Sequence, residues 1–484
     1  MKGKVWVWLL LILGLLAGAT FAYVKSLRLH APGPEFSLDQ LRPLPDQDKS
    51  PQQFSPFCDN FNRAPRDTRS YDLGPQPPYG LRKKRDAAGP TVYFGSHDHS
   101  LYALDALTGQ EHWRFVTLDL IRSTPTWDNG QLFFGSHDAR LYSLDARSGT
   151  VTWRFASCNW MWGRPTISEG RIYVNGWDNY LYALSEQEGN VLFTASTQTY
   201  GANRPVRAGE LLITSSDAPY LWAVDRKTGQ PKWDAYLSGR TRSSPVVDEN
   251  NVYVGTNASE MLALSLEDGK SVWSYKTKGW IWSTPVIVED KLCFGTRGKE
   301  VVCLNRSTGE ELWRVETAGW TDASPVVVQD VLYIGSHDRH LYALDLKDGS
   351  LRWKMAVGGF ITGPVAYGQG LVFVGSHDRH VYAFDARTGA QRWKFEADDW
   401  VTTGVEFVQD PGAGHVPTVE ALSPATSTSG EAPPMEPASP APASAPNESE
   451  GSSPAAAAPE GADAAQTTTA PVQLEPAPAV QPKQ

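Results

Sequence analysis

A forty-residue period is the feature that most constrains how this chain of 484 residues can fold. Glycine recurs at this spacing without a gap, at Gly109, Gly149, Gly189, Gly229, Gly269, Gly309, Gly349 and Gly389. Tryptophan stands four residues after seven of these glycines, at Trp113, Trp153, Trp233, Trp273, Trp313, Trp353 and Trp393. Phe193 takes the remaining place. Such a repeat indicates one supersecondary unit that buries its apolar surface only against its neighbours.

Each unit contains four short runs that are typical of strands. A proline-led run such as SSPVV is followed by VYFGS or VLYIGS, then by LYALD, and then by TG-x-x-x-W. Runs rich in β-branched and aromatic residues, separated by turn residues, predict antiparallel strands and leave no room for a helix. Because LYALD is apolar on both faces, each sheet must be covered on both sides. The pattern predicts an all-β, eight-bladed β-propeller of four-stranded antiparallel blades.

The first blade lacks an innermost strand, since the forty-residue register falls on the charged Arg85. Residues 400–408 follow Trp393 in the way that residues 360–364 follow Trp353. We therefore predict that residues 400–408 join residues 91–115 and close the ring, which removes the sheet edges. The repeated glycines are expected to adopt positive φ and the tryptophans to fill the widening gaps between blades, both structural roles.

Residues 5–24 are uncharged and flanked by basic residues, so we predict that residues 1–28 are an export segment. Twenty apolar residues match a hydrocarbon core of roughly 30 Å, which favours an uncleaved membrane anchor. A cleaved signal peptide is the alternative, because Ala17-Gly18-Ala19 offers a cleavage site. We expect a periplasmic protein tethered to the inner membrane through this segment. A soluble periplasmic or secreted form is the alternative after cleavage.

The segments on either side of the predicted ring, residues 90–408, have a different composition. Residues 29–89 are rich in Pro, Asp, Gln and Arg and are predicted to be an extended spacer. Residues 409–484 are rich in Pro, Ala and Ser and are predicted to be a disordered tail. Nine of the ten net negative charges lie in residues 401–484. The ring is therefore nearly neutral, which argues against a nucleic-acid partner.

Four cysteines are present and none forms a C-x-x-C pair, so a structural zinc site is not expected. Export would permit disulfides. Cys293 and Cys303 would then face each other across one hairpin, and Cys58 could tie the N-terminal extension to Cys158. Four separate buried thiols are the alternative, and both remain open.

The units GSHDRHLYALDLKDGSLRW and GSHDRHVYAFDARTGAQRW resemble the repeats of pyrroloquinoline-quinone-type, or quinoprotein-like, propellers over residues 91–408. Within that group, an exported eight-bladed ring without large insertions is similar to the BamB family of outer-membrane assembly factors. The chain departs from that family in lacking a lipoprotein cysteine after its apolar segment. The resemblance implies a non-catalytic, protein-binding scaffold of the bacterial cell envelope whose partner is an envelope or outer-membrane protein. The alternative is a pyrroloquinoline-quinone-binding dehydrogenase or a ligand sensor.

The loop before each innermost strand supplies the candidate site. Six of the eight loop residues at positions 120, 160 and onward are aromatic, and arginines lie nearby. We predict that these side chains line the mouth of the channel and bind a protein partner, since Trp, Tyr and Arg dominate recognition hot spots. The alternative is that the rings pack together and close a narrow channel. The predicted mouth residues are Trp160, Trp162, Tyr200, Trp280, Trp282, Trp320, Phe360, Trp400, Arg122, Arg164, Arg204, Arg240 and Arg242.

A second group is the His-Asp turn after the second strand, found at His97-Asp98, His137-Asp138, His337-Asp338 and His377-Asp378. Packed sheets lie about 10 Å apart, too far for these turns to share a metal, so we expect the Asp to cap its own turn. No adjacent cysteines and few insertions are present, and Asp322 is the one candidate base. We therefore expect no catalytic residue, metal or cofactor.

Overall fold

The computed structural model describes residues 52–54, 79–197, 199–201 and 203–412. These residues form eight sheets, each built on four antiparallel strands, which confirms the predicted all-β, eight-bladed propeller. The predicted export segment and nearly all of the predicted tail lie outside the described residues. Across the described ranges, no helix is long and apolar enough to cross a membrane.

The strands follow one another from blade to blade around the ring. In chain order they are β1 (Gln52–Phe54) and β2 (Gly80–Lys83); blade 1, β3 (Thr91–Gly95), β4 (Ser100–Asp105) and β5 (Glu111–Val116); blade 2, β6 (Thr126–Asp128), β7 (Gln131–Ser136), β8 (Arg140–Asp145) and β9 (Val151–Ala156); blade 3, β10 (Thr166–Ser168), β11 (Arg171–Asn175), β12 (Tyr180–Ser185) and β13 (Val191–Ser196); blade 4, β14 (Val206–Ala208), β15 (Leu211–Ser215), β16 (Tyr220–Asp225) and β17 (Pro231–Tyr236); blade 5, β18 (Val246–Val247), β19 (Asn251–Gly255), β20 (Glu260–Ser265) and β21 (Ser271–Lys276); blade 6, β22 (Val286–Val288), β23 (Lys291–Thr296), β24 (Glu300–Asn305) and β25 (Glu311–Glu316); blade 7, β26 (Val326–Val328), β27 (Val331–Gly335), β28 (His340–Asp345) and β29 (Leu351–Ala356); blade 8, β30 (Ala366–Gly368), β31 (Leu371–Gly375), β32 (His380–Asp385) and β33 (Gln391–Glu396); and β34 (Glu406–Val408).

The last strand closes the ring. β34 pairs antiparallel with β3, with Thr91 opposite Val408 and Tyr93 opposite Glu406, so the C-terminal strand is the innermost strand of blade 1. The Thr403 hydroxyl strengthens the junction, because it donates to the Gly95 carbonyl at 2.9 Å and accepts the Gly95 N–H at 3.1 Å. The predicted closure is confirmed.

Neighbouring blades dock through the repeated tryptophan and glycine. The indole of Trp393 packs on Gly109 so closely that a Cβ there would lie 2.8 Å from the ring. Gly109 also has a φ of 72°, which disfavours any other residue. The Trp393 indole N–H donates to the Ala106 carbonyl at 2.9 Å. Phe193 packs on Gly229 in the same way but has no N–H to donate.

Two blades carry a fifth strand on their outer edge, from the segment that was predicted to be an extended spacer. β2 pairs antiparallel with β5, and β1 pairs parallel with β9. The basic run after β2 matches polar groups of blade 1: Lys84 pairs with Glu111 at 2.8 Å, and Arg85 Nε donates to His112 Nδ1 at 2.9 Å. These contacts attach the basic run to the outer strand of blade 1.

Cys293 and Cys303 lie opposite each other on β23 and β24 and form a disulfide bond. Cys158 is also disulfide-bonded. Cys58, its partner in the pairing suggested by the sequence, lies outside the described residues. The disulfide alternative is therefore confirmed for Cys293 and Cys303.

The closing strand should be essential to the ring. Deleting residues 400–408 removes the buried Val401, Val405 and Val408 and exposes the edge of β3. We expect the melting temperature to fall by about 10 °C or more, since each buried valine contributes about 1.5 kcal/mol or more. The measurement is calorimetry or circular dichroism on the intact and shortened chains.

A chain that lacks residues 413–484 is the matched control and should melt like the parent. Equal melting temperatures for all three chains would show that the ring closes in another way.

Candidate functional site

The backbone brings the two groups of loop residues into one ring. The N–H of each turn residue donates to the carbonyl of the inter-blade loop that precedes its blade. Examples are His137 to Leu120 at 2.9 Å, Arg297 to Trp280 at 2.7 Å and, across the closure, His97 to Trp400. The sequence analysis considered the loop residues and the His-Asp turns as two groups, and these hydrogen bonds place the two groups side by side. We call the combined set the mouth ring. Its loop residues are Leu120, Trp160, Tyr200, Arg240, Trp280, Trp320, Phe360 and Trp400, and its turn residues are His97, His137, Trp177, Asp217, Asn257, Arg297, His337 and His377.

Imidazoles and aromatic rings alternate through blades 7 and 8 of the mouth ring. His337 lies between Trp320 and Phe360, with ring centroids 5.4 Å and 5.1 Å away. His377 lies between Phe360 and Trp400, at 5.8 Å and 5.3 Å. The side chains of Trp320, Phe360 and Trp400 nevertheless remain 43%, 45% and 48% exposed. These rings are therefore fixed by their neighbours and still face solvent.

The series continues into blades 1 and 2, where the residues are more buried. His97 Nε2 lies 3.2 Å from Arg122 Nε, which donates to it. Burial, followed by the positive charge of Arg122, lowers the pKa of His97 to about 3. The same two causes lower the pKa of His137, which stacks on Trp160 with centroids 4.3 Å apart. Both imidazoles are thus neutral packing groups at physiological pH.

Trp177 fills the equivalent position in blade 3 and was not singled out by the sequence analysis. Its indole contacts Trp160, Trp162 and Tyr200, with ring centroids 5.0, 5.1 and 5.0 Å away. Arg122 lies over the ring of Trp162, with its Cζ 5.0 Å from the ring centroid. The signal was available, because Trp177 stands eighty residues from His97 and so falls in the histidine column of the repeat. These four rings are a packed aromatic sector.

Guanidinium groups and indole rings stack on one another in the part of the mouth ring formed by blades 5, 6 and 7. The Cζ of Arg297 lies 3.1 Å from the Trp282 centroid and 4.5 Å from the Trp320 centroid. Arg242 also lies over Trp282, at 4.7 Å. The nearby Trp280 is 46% exposed. Such cation–π contacts contribute about 0.5 to 2 kcal/mol each and hold the flat groups in place.

Asp322 anchors this cluster. Its carboxylate accepts two hydrogen bonds from Arg297 at 3.0 and 2.8 Å, and His337 Nε2 lies 3.1 Å from it. Burial alone would raise the pKa of Asp322, but the adjacent His337 imidazole and the hydrogen bonds from Arg297 lower it. The carboxylate is therefore ionised and occupied by its partners. Asp322, the candidate base of the sequence analysis, is therefore held as the ion-pair partner of Arg297.

Four of the five arginines predicted to line the mouth form two pairs with different environments. Arg164 forms an ion pair with Glu406 at 2.8 Å, and Arg204 Nε donates to Thr166 Oγ1 at 3.0 Å, so both join inner strands together. The side chains of Arg240 and Arg242 are 58% and 41% exposed, and Asp217 is 3.8 Å and 3.7 Å from them. One carboxylate therefore faces two guanidinium groups. The loop between blades 4 and 5 is locally cationic as a result.

The turn aspartates act as caps. Asp98 accepts the Ser100 N–H at 2.9 Å and the Tyr102 hydroxyl at 2.6 Å. Blades 2, 3, 7 and 8 repeat the tyrosine contact at Asp138, Asp178, Asp338 and Asp378. Blades 4, 5 and 6 have Ala218, Ala258 and Gly298 instead. Within the described part of the chain, no group of three or more His, Cys, Asp or Glu side chains is arranged to hold a metal ion.

Comparison with solved structures gives the same fold at low sequence identity. BamB from Moraxella catarrhalis superposes with a TM-score of 0.51 and 17% identity, over 64% of this chain and 98% of that one. The quinohemoprotein alcohol dehydrogenase ADHIIG from Pseudomonas putida HK5 gives 0.51 and 16%, over 67% and 71%. The dihydro-heme d1 dehydrogenase NirN gives 0.57 and 14%, over 69% and 78%. At this identity the likeness shows the fold alone.

The family comparison is more specific. No curated protein matches the chain in sequence. The family described as outer membrane protein assembly factor BamB matches residues 97–202, 194–299, 277–359 and 351–423, which together span more than half of the chain. The chain therefore belongs to the family of the outer membrane protein assembly factor BamB.

Proposed function

We propose that the protein is a non-catalytic scaffold of the bacterial cell envelope that binds another envelope protein through its mouth ring, in the assembly of outer-membrane proteins. The observation that carries the proposal is the exposed aromatic and cationic surface from Arg240 to Trp400. Family membership supports the process, and the apolar residues 5–24 support export and a membrane tether.

The exposed surface has the chemistry of a protein-binding hot spot. Trp280, Trp320, Phe360 and Trp400 offer large apolar faces that a partner can cover. Arg297 is already held between Trp282 and Trp320 by Asp322, so little conformational entropy remains to be lost on binding. The excess positive charge at Arg240 and Arg242 favours a partner that presents carboxylates to blades 4 and 5.

A quinone-dependent dehydrogenase is the second candidate, because two of the structural neighbours are dehydrogenases and the mouth combines arginines with flat rings. The described residues fit such a cofactor poorly. A calcium ion needs several oxygen ligands, and the one buried carboxylate of the cluster, Asp322, is taken by Arg297 and His337.

Loss of two exposed indoles should abolish most of the binding energy. We expect Trp280→Ala combined with Trp320→Ala to weaken partner binding by several kcal/mol, since hot-spot aromatics each lose about 2 kcal/mol or more. Affinity capture of the intact protein from envelope extracts identifies the partner, and titration with the purified partner measures the change. Tyr236→Ala combined with Val272→Ala is the control, because both side chains are exposed on outer strands, at 73% and 51%. Unchanged affinity in the tryptophan variant with an intact fold would place the site elsewhere.

The arginines should affect the rate of association. Arg240→Ala combined with Arg242→Ala should slow association and reduce its dependence on ionic strength, because both guanidinium groups are exposed and near a single carboxylate. Stopped-flow measurements at low and high salt test this expectation. An association rate with the same salt dependence as the parent would contradict an acidic partner.

The dehydrogenase alternative has a direct test. We expect the purified protein neither to take up pyrroloquinoline quinone at micromolar concentration nor to oxidise alcohols or sugars when calcium is added. Equilibrium dialysis measures the uptake of the cofactor, and a dye-reduction assay measures the oxidation of alcohols and sugars. Uptake of one cofactor per chain would overturn the scaffold proposal.

A further inference from the structure

The outer strand of blade 3 departs from the other seven. β13, with the sequence VLFTAS, contains no charged residue, whereas every other outer strand contains at least one. Leu192 on this strand is 45% exposed. An uncharged edge strand rich in β-forming residues is a template for pairing with another chain, and folded proteins usually block such edges with charges or proline. Blade 4 follows that rule, since β17 begins with Pro231 and carries Lys232 and Asp234.

A cavity of about 270 Å³ lies beside this edge, between blades 3 and 4. Ala195, Thr197, Trp222 and Val224 are among the residues that line it, together with residues 229–231.

On this strand Phe193 replaces the larger tryptophan of the repeat. Ala195 lines the cavity, at a position where blades 1, 2, 5 and 8 have an aromatic ring. In blade 1, for example, Phe115 packs on Tyr142 of the next blade with centroids 5.5 Å apart. Phe155 does the same with Tyr182 at 5.0 Å.

The propeller already accepts added strands at its outer edges. β2 pairs antiparallel with blade 1, and β1 pairs parallel with blade 2. Blade 3 is the next blade in the ring, and among the described strands none pairs with the outer side of β13. An extended peptide in either direction is thus compatible with this kind of edge.

We propose that the outer edge of β13 is a second protein-binding site, which takes an extended, uncharged segment of a partner protein as an added strand. Directly opposed residues on neighbouring strands point to the same face of a sheet. The partner residue beside Ala195 would therefore project toward the cavity. A large apolar side chain, such as phenylalanine, fits this position. The site is separate from the mouth ring and does not depend on the proposed function.

The test uses the full chain and a fluorescent eight-residue peptide of alternating threonine and valine with one central phenylalanine. Two substitutions restore what other blades contain: Thr194→Lys, as at Lys354 and Lys394, and Ala195→Phe, as at Phe115. Because the other blades fold with these residues, both variants should keep the melting temperature or raise it. Each should weaken peptide binding by about tenfold or more, since one places a charge on the edge and the other fills the cavity.

Ser274→Lys, at the equivalent position of blade 5, is the matched control and should not change peptide binding. The double variant of Trp280 and Trp320 should also bind the peptide normally, which separates this site from the mouth. Failure of the parent chain to bind the peptide, or equal binding by Thr194→Lys and Ala195→Phe, would overturn the proposal. A dimer of the parent that Thr194→Lys dissociates would also overturn it, because the occupant would then be a second copy of the chain.

Discussion

The contact between the tryptophan of one blade and the glycine of the next is the interaction on which the ring depends. Trp353 shows its three parts: the indole covers Gly389, its N–H donates to the Ala386 carbonyl at 3.0 Å, and the glycine has a φ of 74°. Each contact joins only neighbouring blades. The stability of the closed ring therefore depends on the junction between blade 8 and blade 1. That junction needs Trp393 to reach Gly109, and β34 completes blade 1 at the place where the two chain ends meet.

Blade 3 shows what happens when this contact is reduced. Phe193 still covers Gly229, but it cannot donate a hydrogen bond and is smaller than an indole. Ala195, two residues later, lines a cavity at a junction where blades 1, 2, 5 and 8 place a ring. A cavity next to an edge costs packing energy. Phe193 and Ala195 therefore weaken the junction and leave a groove beside β13, which is the one described outer strand without a charged residue.

The sequence predicted the blades because every unit meets the same environment, so the spacing of Gly109, Trp113 and their equivalents carries the fold. It did not predict β1 and β2, which are three and four residues long and have no periodicity. The pairing of β2 is supported by a distant side chain, Glu111, which forms an ion pair with Lys84. The alternation of histidine and aromatic rings was also missed, since loop and turn residues were compared within separate columns. The contacts between Trp160 and Trp177 join those columns in space.

The turns of the mouth ring fall into two groups, according to whether an aspartate caps the turn. Blades 1, 2, 3, 7 and 8 cap the turn with an Asp–Tyr hydrogen bond. In blades 4 to 6 an alanine or a glycine replaces the aspartate, so this hydrogen bond is absent there. Blade 6 has Arg297 where blades 7 and 8 have histidine, and the next loop has Asp322 where the two loops after it have Thr362 and Thr402. Neither residue is stable alone: a guanidinium without its carboxylate, or a buried carboxylate without its guanidinium, would be left uncompensated. Adjacent repeats have therefore departed together, and the cationic and aromatic cluster across blades 5, 6 and 7 is one interdependent unit that the proposed partner would meet as a whole.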